Sequence, residues 1–300
     1  MNATAAAPAS AAGHGLHSSL LIGFIESHPR LFVLTGAGCS TESGIPDYRD
    51  AAGNWKRSAR PMTLQAFMAD ESARRRYWAR SLVGWPRIGA AQPNEAHHAL
   101  TRLQRQGRIE GLVTQNVDGL HQAAGSREVI DLHGRLDRVR CMGCERRSDR
   151  AELQQSLLQL NPHWAAHLAH GAGELEAARQ HPDGDAELPA AQTASFVVPA
   201  CAECGGILKP DVVFFGEAVP SARVEAAYEH LRRADAMLVV GSSLMLYSGY
   251  RFARFAATLG QPIAAINLGR TRADELLALK VARPCAAALA RVLEPPQCAA

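Results

Sequence analysis

Residues 31–49 read LFVLTGAGCSTESGIPDYR, an apolar run that breaks into glycines and then into small hydroxyl residues. The opening run, LFVL, predicts a strand that is covered on both faces. Gly36 and Gly38 remove side chains where a pyrophosphate would approach the backbone, and Ser40 or Thr41 can cap a helix whose N-terminus favours anions. The spacing lacks the third glycine of the usual dinucleotide fingerprint, so a plain strand-to-helix turn remains the alternative.

Strand, polar turn and helix alternate from residue 31 to residue 293. This alternation predicts an α/β fold, a Rossmann-like doubly wound parallel sheet. Because parallel strands end at the same edge of a sheet, we expect the turns that follow four of them to meet and bind a ligand. These turns begin at Gly36, Gln115, Gly241 and Asn267.

The composition is that of a globular chain with a large core, since 47% of the 300 residues are hydrophobic. The formal charge of +3 arises from interleaved charges of both signs, so neither sequence-specific nucleic acid nor a membrane is an expected partner. No apolar stretch is long enough to span a bilayer. Residues 1–19 are rich in Ala, Ser and Gly and lack Lys and Arg, which predicts a disordered leader and no export signal.

Four of the seven cysteines form two C-x-x-C pairs, Cys141 with Cys144 and Cys201 with Cys204. Each pair points two sulfurs at one centre, and two pairs make a closed tetrahedral site for one structural zinc ion. In a chain without an export signal this pattern favours metal over disulfides and predicts a reducing, cytoplasmic location.

The cysteine pairs also suggest how the domains are arranged. The segment between the pairs exceeds the spacing of a simple zinc ribbon and predicts an insertion. We therefore expect a zinc-binding small domain at 137–206 that interrupts a Rossmann-like domain formed by 20–136 and 207–300.

Polar side chains follow the predicted strand that begins at Ile109. Gln115, Asn116 and Asp118 crowd the end of this strand, where open α/β sheets place their ligands. Ordinary turn formation could also account for Asn116 and Asp118. His133 follows another short apolar run. One of His97 and His98, on a predicted helix capped by Asn94, must face inward, and a core histidine is favoured there over a metal ligand.

Taken together, these motifs resemble the sirtuin family. The matching stretches follow the family's order over nearly the whole chain: GAGCSTESGIPDYR at 36–49, TQNVDGLH at 114–121, HG at 133–134, the two C-x-x-C pairs, LKPDVVFFGE at 208–217 and GSSL at 241–244. Tyr48, the stretch RPMT at 60–63 and the stretch YSGYRF at 247–252 are most similar to the class II branch.

The resemblance implies an enzyme that removes acyl groups from lysine side chains and consumes NAD as a co-substrate. The acyl oxygen attacks the anomeric carbon of the nicotinamide ribose, nicotinamide leaves, and the acyl group passes to ADP-ribose. The cationic pyridinium makes nicotinamide a leaving group, so no hydride moves.

The resemblance also implies roles for individual residues. The catalytic set is His133 as general base, Asn116 orienting the ribose or a water, and Asp118 holding the nicotinamide carboxamide together with the backbone near Ile45. The other implied NAD contacts are Gly36, Ala37, Gly38, Ser40, Asp47, Tyr48, Arg49, Gln115, Gly241, Ser242, Ser243, Asn267, Gly269 and Cys285. The acyl-lysine peptide is expected to add as a strand between Phe215, Gly216 and Glu217 on one side and Leu244 and Tyr247 on the other.

Three alternatives remain open at this point. A protein mono-ADP-ribosyltransferase would trap the same activated ribose with a protein nucleophile. A hydride-transferring dehydrogenase is disfavoured by the poor glycine fingerprint, and a zinc-ribbon binding module has no use for Asn116, Asp118 and His133. No tyrosine accompanies Arg60 in the region 59–68, so we expect no strong preference for succinyl-lysine.

Overall fold

The computed structural model describes residues 11–54, 56, 61–164 and 193–293. Its centre is a sheet of six strands: β1 Leu31–Thr35, β2 Ile109–Thr114, β3 Val129–Asp131, β7 Ala236–Val240, β8 Ile263–Ile266 and β9 Leu279–Val281. Their order in the sheet is β3-β2-β1-β7-β8-β9, and every neighbouring pair is parallel. The predicted Rossmann-like sheet is confirmed, and its order reverses beside β1, where α/β sheets open a crevice for ligands.

Helices cover both faces of this sheet because its central strands β1, β7 and β8 are buried along their whole length and almost entirely apolar. The helices are α1 Ala11–Ser27, α4 Glu95–Arg105, α5 Leu120–Ala123, α7 Ser221–Arg233, α8 Tyr247–Thr258 and α9 Cys285–Leu289. Along β1, Leu31 and Val33 pack into one apolar cluster with α1, α4 and α9, while Phe32 and Leu34 pack into a second cluster with α7 and α8. In the described part of the chain, no helix has the length and apolarity to cross a membrane.

The expectation of a disordered leader through residue 19 is wrong for its second half. Helix α1 begins at Ala11, and residues 1–10 lie outside the described chain. Alanine is the strongest helix former, and the buried side chains of Leu21 and Ile25 anchor the helix in the first apolar cluster. A composition that resembles a flexible leader is here the first part of an anchored helix.

A second, smaller module stands at the carboxyl edge of the sheet. Its strands β4 Gly134–Cys141, β5 Arg147–Asp149 and β6 Leu208–Val212 form an antiparallel sheet in the order β5-β4-β6, and α6 Arg150–Leu160 packs on it. The long helical arm, α2 Leu64–Ala69 and α3 Glu71–Ala90, joins this module in a third apolar cluster centred on Trp78.

The predicted domain boundaries need correction in two places. Gly134 pairs with Val212, so the boundary at 136/137 cuts β4 and the boundary at 206/207 precedes β6. The predicted range 207–300 assigns Leu208–Val212 to the main domain, but this strand pairs with β4 of the small module. Helices α2 and α3, assigned to the NAD-binding part, pack chiefly against the small module.

Candidate active site

A cavity of ≈ 690 Å³ lies between the carboxyl edge of the parallel sheet and the small module. The structure brings every residue that the sequence assigned to NAD, to catalysis or to the peptide to the wall of this one cavity. The turns after β1, β2, β7 and β8 all contribute, as expected for parallel strands that end at one edge.

The glycine turn after β1 interlocks with the turn after β7. Gly36 N donates to Val240 O at 3.0 Å, and Gly38 N donates to Gly241 O at 2.8 Å. A Cβ atom on Gly36 would lie 2.7 Å from Ser242 Cβ, so the close approach of the two turns requires glycine. The turn continues into two short 3₁₀ helices in which Ser40 makes no side-chain cap, so the expected capped helix is not formed there.

Ser40 instead connects the first turn to the turn after β2. Its hydroxyl donates to Asp118 Oδ2 at 2.7 Å and accepts from Asn116 Nδ2 at 3.0 Å, while the same amide nitrogen donates to Gly36 O at 3.1 Å. Burial raises the pKa of Asp118, opposed by hydrogen bonds from the Leu120 amide and the Ser40 hydroxyl. Asn116 and Asp118 therefore bridge two distant turns, which local turn formation alone does not explain.

His133 lies between β3 and β4, where the large sheet meets the small module. Its Nδ1 is 2.9 Å from Gln115 O, and its Nε2 is 2.9 Å from Ser248 Oγ. A carbonyl can only accept, so Nδ1 carries the hydrogen and Nε2 presents a lone pair. Burial is the largest cause that lowers the pKa of His133, the bond to Gln115 opposes it, and Arg223 and Arg251 lower it further. The ring is held as a neutral base.

The turns after β7 and β8 form the side of the cavity where the adenosine half of NAD is expected. Ser242 Oγ donates to Gln115 Oε1 at 2.6 Å, and Asn267 Nδ2 donates to Gly269 O at 2.9 Å. Cys285 begins α9, but its thiol faces the core near Ile266 O, and burial raises its pKa to about 12. Only the backbone of Cys285 is thus suited to contact a nucleotide.

Residues 45–54 and Lys56 wall the cavity on the side where nicotinamide is expected. Arg49 Nη1 donates to Gly53 O at 2.7 Å, and burial lowers the pKa of Arg49. Asp47 pairs with Lys56 on the same side. Ile45 and Tyr48 complete this wall beside Ser40.

The segments predicted to bind the peptide, 215–217 and Leu244 to Tyr247, expose more backbone than side chain to the cavity. Leu64 N donates to Phe215 O at 3.0 Å, which fixes one side of the segment 215–217. The Glu217 carboxylate turns inward, where it accepts from Phe214 N at 2.9 Å and pairs with the buried Lys209 at 3.1 Å. The Leu244 side chain is buried, whereas Phe215 and Tyr247 are exposed at the mouth of the cavity.

The four cysteines converge in the small module as their spacing predicts. Cys141 Sγ lies 3.4 Å from Cys204 Sγ, and Cys144 Sγ lies 3.8 Å from Cys201 Sγ. The edge of a tetrahedral zinc–thiolate site is about 3.8 Å, given a Zn–S bond of about 2.3 Å. The sulfurs therefore fit one structural zinc ion, and closure by four ligands leaves no position open for catalysis.

Two polar residues of this region were missed by sequence reasoning. Ser248 stood only within the family-like stretch YSGYRF at 247–252, yet it contacts the imidazole of His133. Lys209 stands in an apolar motif, and its burial against Glu217 and over the Phe214 ring follows from the antiparallel pairing of β6. Neither contact could be predicted from the spacing of residues in the sequence.

The fold and this cavity define a class: an α/β nucleotide-binding enzyme with an inserted four-cysteine zinc module. The model of the Sir2 family matches residues 36–248, and the chain belongs to this family. The membership confirms the resemblance to sirtuins and sets aside the dehydrogenase and the zinc-ribbon alternatives.

Similar proteins agree with this placement. A protein of Xanthomonas axonopodis pv. citri (strain 306), named NAD-dependent protein deacetylase, is 66% identical over 273 residues, which cover 91% of this chain and 90% of that protein. A solved structure described as Sir2 bound to acetylated peptide has a TM-score of 0.69 at 29% identity, with 91% and 96% of the two chains covered. A Sir2 variant with a deacetylated p53 peptide and 3′-O-acetyl ADP-ribose has a TM-score of 0.70 at 28% identity, with the same coverage.

Proposed function

We propose that this protein is an NAD-dependent protein lysine deacylase of the deacetylase type. It transfers the acyl group from lysine to ADP-ribose and releases nicotinamide. The observation that carries the proposal is His133, whose Nε2 lone pair faces a cavity walled by the glycine turns on one side and the segment 215–217 on the other. Relatives named NAD-dependent protein deacetylase support it.

NAD lies, in this proposal, along the carboxyl edge of the sheet. The pyrophosphate approaches Gly36, Ala37 and Gly38, where no side chain obstructs the backbone. The adenosine half contacts Gly241, Ser242, Ser243, Asn267, Gly269 and the backbone of Cys285. The nicotinamide end meets Ser40, Ile45, Asp47, Tyr48, Arg49 and Asp118.

NAD supplies a ribose carbon with a cationic leaving group. His133 accepts a proton from a ribose hydroxyl at Nε2, and the Nδ1–H bond to Gln115 keeps the ring in the tautomer that this task requires. Asn116 holds the ribose or a water in line, since its own position is fixed by Gly36 and Ser40. The neutral imidazole is available as a base at physiological pH because burial disfavours its cation.

The acyl-lysine peptide adds as a strand between 215–217 and the segment from Leu244 to Tyr247. Since Glu217 and Leu244 turn their side chains inward, recognition uses main-chain hydrogen bonds, with apolar contacts from Phe215 and Tyr247. This mode places few demands on the peptide sequence. That the enzyme has no strong preference for succinyl-lysine stays a prediction.

The zinc ion is structural, and the compartment we propose is a reducing cytoplasm, because four thiolates must stay reduced to bind it. Mono-ADP-ribosyl transfer uses the same ribose chemistry, but no residue of the described cavity favours it over acyl transfer. The transfer reaction would be supported if the protein consumed NAD without an acylated peptide.

The test is the variant His133→Ala, with the exposed His98→Ala as the matched control. The first variant should lose nicotinamide release from acetyl-peptide by about a hundredfold or more while calorimetry still detects NAD binding. His98→Ala should behave as the wild type. Full acyl-lysine turnover by His133→Ala would refute the assignment of the base.

A further inference from the structure

Ser248 is a second partner of the histidine that the proposed function uses as its base. It is the second residue of α8, and its Oγ lies 2.9 Å from His133 Nε2. The residue that caps this helix is Leu246, which makes no side-chain cap bond. The Ser248 hydroxyl is therefore not engaged in capping the helix, and it points at the imidazole.

The direction of this hydrogen bond follows from the other side of the ring. Gln115 O accepts from Nδ1, so Nε2 has a lone pair and no hydrogen. The Ser248 hydroxyl must then donate to Nε2. In the protein without ligand, the lone pair that abstracts the proton is already occupied by an internal donor.

We propose that Ser248 is a positioning residue for His133: its hydroxyl holds Nε2 in the free enzyme and gives way to a ribose hydroxyl when NAD binds. This inference rests on the proposed function, because it assumes that His133 is the base. The exchange replaces one hydroxyl donor by another. The imidazole thus keeps its orientation and its neutral form until the substrate hydroxyl arrives.

The charged surroundings are consistent with this role. Arg223 on α7 and Arg251 on α8 act on the His133 ring, and both disfavour its cation. The N-terminus of α8 adds the positive end of a helix dipole on the side of Ser248. The charges act through space and do not fix the direction of the ring, whereas the Ser248 hydroxyl makes a hydrogen bond to the Nε2 lone pair and so orients the imidazole.

The consequence is a difference between two pH profiles. The acid limb of kcat/KM reports the free enzyme, whereas the limb of kcat reports the complex in which the ribose has replaced Ser248. Removing the serine hydroxyl takes a hydrogen bond from the neutral imidazole. In the cation the same hydroxyl would have to turn round and accept from Nε2–H, beside the charges of Arg223 and Arg251, which already disfavour that cation. Protonation of His133 in the free enzyme should then occur at a higher pH.

The experiment compares Ser248→Ala, Ser248→Thr and the control Ser156→Ala, which removes a hydroxyl that donates to Glu152 O on α6. For Ser248→Ala we expect the acid limb of kcat/KM to move up by about 0.5–1 pH unit, a loss of roughly three- to tenfold on the acid side. The limb of kcat should stay in place. Ser248→Thr should restore the wild-type profile, and Ser156→Ala should match it.

A readout that is independent of turnover is the ¹⁵N-detected titration of His133 in the free protein, which should show the same upward displacement in Ser248→Ala. Unchanged profiles, or equal displacement of both limbs, would overturn the role of Ser248. Full activity of His133→Ala would instead overturn the proposed base, so the two failures are distinguishable.

Discussion

The roles of several single residues in this protein cannot be predicted from the residue type alone. His97 is the third residue of α4, and its Nδ1 accepts from the Asn94 amide at 3.3 Å in a capping box. Its Nε2 therefore carries hydrogen and faces Cys39 Sγ at 4.0 Å. His121 donates from Nε2 to Thr35 Oγ1, whose own hydrogen goes to Thr114.

These contacts explain why the buried group Cys39, His97 and His121, whose ligand atoms lie within 4.8 Å of one another, is a set of neutral core residues. A metal at this point would require Nε2 of His97 to lose its hydrogen, and the capping bond would be lost with the change of tautomer. The expectation that one histidine of the pair 97–98 faces the core is confirmed.

Acid should destabilise the protein through His97. Burial is the largest cause that lowers its pKa to about 4, against about 6.5 in the unfolded chain. As the pH falls through 6.5, the unfolded state binds the proton first, so stability is lost between about pH 6.5 and pH 4. His97→Gln keeps a capping-box residue without the titration.

The free energy of unfolding, measured by denaturant titration at pH 7 and pH 5, should therefore fall by about 2 kcal/mol less in His97→Gln than in the wild type. The exposed His98→Gln serves as the control and should leave the difference unchanged. An identical pH dependence for His97→Gln and the wild type would contradict the assignment.

At the scale of elements, pattern predicted the parallel strands and α4 well. The strands β1, β7 and β8 are buried on both faces and therefore read as continuous apolar runs. Helix α4 begins after Asn94 as its cap predicts. The stretch from Leu64 to Ala90 forms two helices, since Asp70 caps α3 by accepting from Ser72 N.

Elements whose partners are distant in sequence could not be read locally. Helix α1 depends on packing of Leu21 and Ile25 against the core, and β6 depends on pairing with β4. Neither dependence leaves a periodic signal in its own stretch.

Two glycine substitutions distinguish a glycine inside a regular helix from a glycine at which two backbone turns approach each other closely. Gly23 lies exposed inside α1 with nothing near its Cβ position, so Gly23→Ala should raise the free energy of unfolding by about 0.5–1 kcal/mol. Gly36→Ala should lower it by roughly 1–3 kcal/mol, because the new methyl group collides with Ser242. Thermal or denaturant unfolding measures both; a destabilised Gly23→Ala would contradict a regular helix there.

At the scale of the whole molecule, the zinc module and the cavity are one packing unit. The third apolar cluster joins Trp78 of α3 to Val139 of β4 and to Phe214 beside the segment 215–217. Zinc binding contributes folding free energy to small modules. The metal thus supports the shape of the cavity without reaching it.

Removing zinc with a chelator should therefore abolish acyl-peptide turnover and raise hydrogen exchange in β4–β6, while the parallel sheet stays protected. Restored activity on adding zinc is the control. A chelated protein with full kcat/KM and an exposed module would show that the two parts are independent.

The residues that line the cavity could be predicted from motifs at strand ends, because parallel topology brings such ends together. Their roles toward NAD and the peptide stay predictions. What could not be predicted is how the side chains pair. The bonds from Ser40 to Asp118 and from Ser248 to His133 join residues 78 and 115 positions apart, and only the folded chain specifies them.

The central claim is acyl transfer from lysine to ADP-ribose. Mass spectrometry of the wild-type protein with NAD and an acetyl-lysine peptide tests it most directly. We predict equal amounts of nicotinamide, deacetylated peptide and O-acetyl-ADP-ribose, and no NAD consumption without the peptide. NAD consumption that needs no acylated peptide and leaves an ADP-ribosylated protein would contradict the account.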